Sequence, residues 1–225
     1  MHNSLKGIAC TAALVFSLTG CGMGGAIVKI EKKEYKSDAA VIYAEIPEFE
    51  NLTDKSFEEK INENYEKNLN SWIDNFLKKQ EAGEDCRFEL KQDVKRRKSP
   101  IISVTGDVYI YTGGVHGMND RIAKNIDTQK NEELTLSDLF EDSSYQKMLN
   151  KKMEEIIEKN AEEYHDLWEK PIISDIQQTR FYLTDDELVI FYPPYELSYY
   201  AKGFVEFHIP YRDITSYLKT EYKVL

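Results

Sequence analysis

The sequence predicts an α+β fold, in which an antiparallel sheet carries two main amphipathic helices and a short C-terminal helix. Apolar and polar residues alternate in several short stretches, among them residues 87–95 and 101–111, and this period of two is typical of strands. In two longer segments the apolar residues recur at steps of three and four, which is typical of amphipathic helices. The predicted order is β, β, α, β, β, β, α, β, β, β, α, and it lacks the regular strand–helix alternation of a parallel sheet.

The first predicted helix follows two strands, at residues 27–30 and 39–43. Ser56 and Glu59 have the spacing of a capping box, in which two side chains bind backbone amides at a helix start. Gly83 is typical of a helix end. The apolar stripe of this helix predicts a face that packs on the core, and it contains Phe57, Ile61, Tyr65, Leu69, Trp72, Ile73, Phe76 and Leu77.

A hairpin is predicted around a cluster of glycines. The strand at residues 101–111 leads into residues 113–117, which contain three glycines and one histidine, and a return strand follows at 121–127. Only glycine adopts positive φ angles without steric cost, so the chain is expected to turn sharply here. The basic run at residues 95–98 lies between this strand and an earlier one at 87–95, and we expect it to be a solvated turn.

The second half of the chain repeats both patterns. Ser143 opens a second amphipathic helix in a second capping box, after an apolar segment that is expected to pack on the core. The period of two then returns, and Asp185 and Asp186 mark a turn. The predicted elements are the apolar segment 134–140, the helix from Ser143, strands at 181–183, 188–192 and 204–210, an aromatic loop at 195–203 and a short helix at 213–219.

The N-terminus predicts where the protein lies. Lys6 precedes an apolar stretch at residues 8–18, which is too short to span a bilayer and is typical of a signal peptide. The tetrapeptide that ends at Cys21 (LTGC) resembles the bacterial lipobox, in which the cysteine receives diacylglycerol before cleavage. We therefore expect a lipoprotein signal peptide at 1–20 and a lipid on Cys21. A flexible tether would follow at 21–26, and a single domain at 27–225. The alternative is an ordinary secretory signal.

Composition narrows the classes of function. The chain has 225 residues and a formal net charge of -11, which disfavours nucleic-acid binding because phosphate binding needs clustered Lys and Arg.

Of the three cysteines, Cys10 lies in the signal peptide and Cys21 carries the predicted lipid. Cys86 then stands alone, so no intramolecular disulfide is expected and Cys86 is interpreted as a buried small residue.

No catalytic constellation is evident in the sequence. His116, His165 and His208 remain after the signal peptide, and neither a His-Glu-x-x-His nor a Cys-x-x-Cys pattern occurs. The sequence therefore predicts no metal and no cofactor. His116 could bind a metal, donate a proton or hold its loop through hydrogen bonds, and the sequence favours the last of these.

Three pieces of the chain together resemble a known family. They are residues 109–117 (YIYTGGVHG); residues 125–127 with 134–140 (NID, LTLSDLF); and residues 188–192, 195–197 and 200–203 (LVIFY, YEL, YAKG), ending in 205–210. The chain is thereby similar to the extracytoplasmic domain of the lysozyme-sensing anti-sigma factor RsiV. That domain is also found N-terminal to the catalytic domain of the peptidoglycan deacetylase PdaC. The resemblance covers most of residues 27–225 and implies an α+β fold outside a bacterial cell, which in the anti-sigma factor binds lysozyme.

The chain also departs from both relatives. An anti-sigma factor needs a cytoplasmic segment and a membrane span, and here a lipidated N-terminus replaces both, so we do not expect this chain to signal across the membrane alone. The deacetylase domain needs a Thr-Phe-Asp-Asp motif and a His-Ser/Thr-x-x-His zinc pair. Residues 183–186 (LTDD) faintly imitate the first, and the second is absent.

The sequence therefore predicts a non-enzymatic binding module, lipid-anchored on the outer face of the bacterial cytoplasmic membrane. The expected partner is a cationic protein such as lysozyme, or a cell-wall glycan, because an acidic surface attracts cations. The expected contact residues are Gly113, Gly114, His116, Gly117, Tyr195, Tyr199, Tyr200, Lys202 and Gly203.

Three alternatives stay open. The glycines and aromatic residues could merely shape the ends of the sheet. A second alternative is an envelope hydrolase or deacetylase accessory that acts on peptidoglycan, with His116 as base or metal ligand beside converging carboxylates. The third is an assembly lipoprotein without a soluble ligand.

Overall fold

The computed structural model describes residues 9–14, 26–36, 40–78, 86–173 and 179–225, and of residues 9–14, 35 and 36 it describes the backbone alone. The predicted lipidation site Cys21, the helix end at Gly83 and most of the predicted signal peptide and tether lie outside the described residues. The α+β fold class is confirmed.

The bounds of the elements follow from the backbone. Within the described residues the strands are β1 (Ala9–Leu14), β2 (Ile27–Lys36), β3 (Ala40–Glu50), β4 (Cys86–Arg96), β5 (Ile101–Tyr111), β6 (Met118–Asp127), β7 (Glu132–Glu133), β8 (Phe181–Leu183), β9 (Glu187–Tyr192) and β10 (Val205–Pro210). The α-helices described are α1 (Lys55–Lys78), α2 (Ser144–Lys159) and α3 (Ala161–Tyr164), and 3₁₀ turns occur at Leu136–Leu139, Tyr200–Lys202, Tyr211–Asp213 and Thr220–Tyr222.

The strands form two sheets. Strands β1 to β7 lie side by side in sequence order, and β8, β9 and β10 form an antiparallel sheet with β9 in the centre. The predicted antiparallel order is wrong at one place, since β3 and β4 are parallel. The reason is α1, whose 24 residues extend roughly 36 Å and return the chain to the end at which β3 began.

Strand β2 has the composition of an edge strand. It contains four lysines in ten residues, and lysines on an edge discourage pairing with foreign strands. Its neighbour β1 lies inside the predicted signal peptide. Cleavage before Cys21 would remove β1 and leave β2 at the edge of the sheet.

The chain divides into two compact units. Unit 1 contains Met1–Asp93 and Gly106–Arg121, and unit 2 contains Val94–Thr105 and Ile122–Leu225. Strands β4, β5 and β6 therefore have residues in both units. The expectation of a single domain over residues 27–225 stays a prediction.

In unit 1, α1 buries its predicted apolar stripe. Phe49 and Tyr65 pack with ring centroids 5.8 Å apart, and so do Phe76 and Phe88. The buried members of the stripe are Ile61, Tyr65, Leu69, Ile73 and Phe76. The helix start differs from the prediction, because the Asp54 carboxylate, rather than Ser56, accepts the amides of Ser56 and Phe57 at 2.8 and 3.2 Å. Cys86 is free and buried, as expected.

In unit 2, one large apolar cluster joins α2 to the three-stranded sheet and to the predicted apolar segment at 134–140. Phe140 stacks on Tyr145 with a centroid distance of 4.4 Å, and Tyr164 stacks on Phe207 at 5.3 Å. Fully buried members include Leu136, Leu149, Met153, Leu183, Leu188, Ile190, Phe207, Ile214 and Tyr222. The burial of Leu134, Leu136, Leu139 and Phe140 confirms that this segment packs on the core.

Two further predictions are wrong in unit 2. The expected C-terminal helix at 213–219 is replaced by the 3₁₀ turns Tyr211–Asp213 and Thr220–Tyr222. The basic run at 95–98 is not wholly solvated, because Arg96 is only 3% exposed. Its guanidinium donates to the carbonyls of Thr184 and Asp185 at 3.2 and 3.3 Å and so holds the turn between β8 and β9.

Candidate binding surfaces

The hairpin tip consists of residues 112–117, between β5 and β6 in unit 1. Gly113 and Gly114 have φ angles of 108° and 95°, which side chains rarely tolerate, so the glycines are required for this turn. The hydroxyl of Tyr111 donates to the carbonyl of Gly114 at 2.9 Å. The cluster of glycines therefore forms the predicted turn, and a tyrosine of its own strand fixes it.

The ring of a second tyrosine, Tyr109, packs against the tip at Gly117. A Cβ atom on Gly117 would lie 2.5 Å from the ring of Tyr109, so the ring occupies the space that a side chain would take. Val115 is completely exposed, and Met118 is 52% exposed. The tip thus presents Val115, and the start of β6 presents Met118, on a backbone held by glycines and tyrosines.

His116 lies on the tip with its ring turned toward the main chain. Its Nδ1 lies 2.8 Å from the carbonyl oxygen of Gly117 and donates to it. Across the described ranges, no group of three or more His, Cys, Asp or Glu side chains is placed to hold a metal ion. The ring therefore helps to hold the loop, and a role for His116 in binding stays a prediction.

The aromatic loop consists of residues 193–203, between β9 and β10 in unit 2. Tyr195 has a φ of 72°, and its amide donates to the carbonyl of Ser198 at 3.1 Å. Gly203 ends the loop at φ 76° and ψ -147°, a conformation found almost only in glycine. Both ends of the loop are thus held in conformations that most residues avoid.

A second segment holds this loop in place. The amide of Trp168 donates to the carbonyl of Leu197 at 3.0 Å, and its indole Nε1 donates to the carbonyl of Glu196 at 3.2 Å. The hydroxyl of Ser198 donates to the carbonyl of Asp166 at 3.1 Å. These bonds hold the indole in place, although Trp168 remains 53% exposed.

Two ion pairs complete the surface. Lys202 Nζ lies 3.0 Å from Asp166 Oδ1 and also donates to the carbonyl of Glu163. Lys202 is the main cause of the lowered pKa of Asp166, and the Asp166 carboxylate in turn raises the pKa of the Tyr199 phenol. Arg180 lies 2.6 Å from a carboxylate oxygen of Glu196.

We define the aromatic patch as Trp168, Tyr195, Tyr199 and Tyr200 with these two ion pairs. Trp168, Tyr195 and Tyr199 are 53%, 49% and 48% exposed, and the rings of Tyr195 and Tyr200 lie 5.5 Å apart. The sequence interpretation missed Trp168, Asp166, Arg180 and Glu196. A lone tryptophan between a helix and a strand carries no periodic signal, so its exposure could not be read from the pattern.

The predicted contact residues divide between the two units. Gly113, Gly114, His116 and Gly117 belong to unit 1, and Tyr195, Tyr199, Tyr200, Lys202 and Gly203 belong to unit 2. We therefore describe the hairpin tip and the aromatic patch as two separate surfaces. Among the helices in the described parts of the chain, none is both long and apolar enough to cross a membrane.

Two family models match parts of the chain, and one curated protein resembles most of it. Residues 33–119 match the family model described as "Deacetylase PdaC", and residues 137–212 match that described as "Protein of unknown function (DUF3298)". The anti-sigma-V factor RsiV of Bacillus subtilis (strain 168) is 26% identical over 206 residues, which cover 87% of this chain and 71% of that protein.

Two crystal structures share the fold. A DUF3298 family protein from Pseudomonas aeruginosa PAO1 superposes with a TM-score of 0.61 at 18% identity, over 88% of this chain and 95% of that one. A second member of that family, from Bacteroides fragilis NCTC 9343, gives 0.60 at 18% identity, over 95% and 96%.

Proposed function

Because this chain belongs to the RsiV-like, PdaC-associated domain family, we propose that it is a non-enzymatic binding module of the bacterial cell envelope. Its likeness to RsiV and the two matched domain models support a place outside the cytoplasm. The module works by contact, through the hairpin tip and the aromatic patch. The observation that carries the proposal is the exposure of apolar side chains on backbone that hydrogen bonds hold in place.

The hairpin tip has the properties of a protein contact. Val115 is fully exposed at a turn whose conformation is fixed by Gly113, Gly114 and Tyr111, so little entropy is lost when a partner covers it. A projecting apolar side chain fits a concave partner surface. Burying one valine contributes about 1.5 kcal/mol or more to such a contact.

Charge favours a cationic partner. The formal net charge of -11 raises the rate at which a basic protein associates, and salt screens this effect. Lysozyme is the cationic protein that the resemblance to the RsiV-like family implies. We therefore propose lysozyme as the partner of the hairpin tip.

A pull-down with immobilised lysozyme tests this partner. The full chain is compared with an unrelated protein of equal net charge, at low and at physiological salt. The proposal predicts that the full chain is retained at physiological salt while the control is released. Retention no stronger than that of the control would reject lysozyme.

We further propose that acylation of Cys21 anchors the module on the outer face of the cytoplasmic membrane. Two or three acyl chains suffice for stable anchoring, whereas one chain holds a protein only marginally. Metabolic labelling with a fatty acid should mark the wild-type chain and leave Cys21→Ser unlabelled. Equal labelling of both would reject this anchor.

A further inference from the structure

The aromatic patch differs from the hairpin tip, because three of its four aromatic side chains are about half exposed: Trp168, Tyr195 and Tyr199. Trp168 is 53% exposed although its indole nitrogen is bonded to the carbonyl of Glu196. Tyr199 is 48% exposed, and its hydroxyl interacts with the carboxylate of Asp166. In both side chains the polar atom interacts with a group of the protein, so a ligand would meet mainly the apolar part of the ring.

Local charge decides which ligand suits this surface. Arg180 pairs with Glu196, and Lys202 pairs with Asp166, so each of these cations lies against an anion. A ligand that carries a net charge would gain little here, although the whole chain is acidic. The paired groups still offer donors and acceptors at the margin of the rings.

We propose that the aromatic patch binds the pyranose rings of a neutral glycan. The C–H groups on one face of a pyranose carry partial positive charge and pack on the negative face of an aromatic ring. Its hydroxyls can take hydrogen bonds from Arg180 and donate to Glu196, whose side chains are 41% and 42% exposed. This inference rests on the proposed function, since it names the ligand class of the second of its two surfaces.

The fixed geometry of the patch suits a chain of sugars rather than a single one. Tyr195 and Tyr200 lie 5.5 Å apart at an interplanar angle of 34°, so the two rings pack together as one aromatic cluster. The loop that carries them is bonded to the segment of Trp168 by the backbone and by the indole. Several rings held in this way offer a platform for successive sugar units.

Tryptophan fluorescence measures this binding directly. The chain has two tryptophans, and Trp72→Phe leaves Trp168 as the sole indole emitter. This variant of the full chain is titrated with a soluble tetramer of N-acetylglucosamine and, separately, with a tetramer of glucose. We expect a saturable shift in emission with at least one of them. No saturable change with either sugar would overturn the inference.

Variants then localise the site. Trp168→Ala and Tyr199→Ala should each weaken binding by about tenfold, measured by calorimetry, because each removes one exposed ring face. Ile172→Ala is the matched control, since Ile172 is 63% exposed and lies outside the patch as defined. Binding by Trp168→Ala and by Tyr199→Ala as tight as that of the wild type would overturn the site.

The readouts separate this inference from the proposed function. Lysozyme capture is measured with lysozyme alone, and sugar binding is measured without lysozyme. A chain that captures lysozyme and binds no sugar overturns only the glycan site. A chain that binds a sugar tetramer and is not retained by lysozyme supports the glycan site and overturns only lysozyme as the partner of the tip.

Discussion

At the hairpin tip the turn is fixed by glycines and by two tyrosines of the adjoining strand, whereas the aromatic patch is fixed by side chains from segments far apart in sequence. Tyr109 and Tyr111 lie within eight residues of the glycines that they hold. In the patch, Trp168 bonds to Glu196 across 28 residues, and Asp166 to Lys202 across 36. Local and long-range contacts thus both produce exposed apolar surface on fixed backbone. We expect substitutions and acid to affect the hairpin tip and the aromatic patch differently.

The largest expected effect is that of Gly117→Val. The new side chain would overlap the Tyr109 ring, and overpacking of this kind costs about 1 to 3 kcal/mol. Urea unfolding followed by circular dichroism measures the loss, and lysozyme capture should fall with it. An unchanged unfolding midpoint would show that Tyr109 moves freely and that the tip is not held from its side.

We expect Gly114→Ala and Gly203→Ala to reduce the free energy of unfolding by a smaller amount, which should be similar for the two variants. Both glycines have positive φ, 95° and 76°, and at both positions the space for a methyl group is open. Backbone strain alone should therefore cost about 1 kcal/mol or somewhat more at each site, measured by the same urea unfolding. A clear difference between the two variants would mean that one of the two loops relaxes.

As the pH falls, the contacts that hold the aromatic patch should weaken before those that hold the hairpin tip. The pKa of Asp166 is lowered, mainly by Lys202 and also by Tyr199. An acid with a depressed pKa contributes stability at neutral pH, and this contribution is lost as the pH falls through the folded-state pKa, which lies below the ordinary value of an aspartate. Emission of Trp168 in the Trp72→Phe background should therefore change in that acidic range.

Asp166→Asn provides the control for this titration. The variant lacks the titrating group, so its Trp168 emission should stay flat over the same acidic range. Hydrogen exchange at neutral pH should then show faster exchange of the Trp168 amide in the variant and no change at residues 112–117. Equal acid sensitivity of the wild type and Asp166→Asn would assign the effect to another group.

The smallest effect is expected of Tyr111→Phe. It removes one partly exposed hydrogen bond, to the carbonyl of Gly114, which contributes about 0.5 kcal/mol. Urea unfolding should change little, while hydrogen exchange at residues 112–117 becomes faster. Slower exchange there would mean that the tyrosine hydroxyl is not what holds the turn.

The predictions that held depend on local patterns. The stripe from Ile61 to Phe76 is buried as its helical spacing indicated, and the glycines at 113–117 form the predicted turn. The strands of the three-stranded sheet have bounds within one residue of the prediction, although β8 and β9 are buried continuously and only β10 follows a period of two. These features depend on neighbours in the chain, which the sequence displays.

The predictions that failed depend on distant contacts. Arg96 is buried because carbonyls near residue 184 accept its guanidinium, and a basic run alone does not show this. The parallel pairing of β3 and β4 depends on where α1 returns the chain. The sequence did not predict a place for Trp168 in the candidate surface, because its partner Glu196 lies in another loop. The sequence therefore predicted the two loops of the candidate surfaces. It did not predict the segment with Asp166 and Trp168, which holds the second loop in place.

The most direct test of the account is a pair of valine substitutions measured by binding to lysozyme. Val115→Asp changes the hairpin tip, and Val224→Asp adds the same charge at another exposed valine, 68% exposed. Added negative charge can only favour a cationic partner, so a loss of affinity must come from lost contact. We expect Val115→Asp to bind lysozyme at least about tenfold more weakly than Val224→Asp does. Equal affinity of the two variants would contradict it.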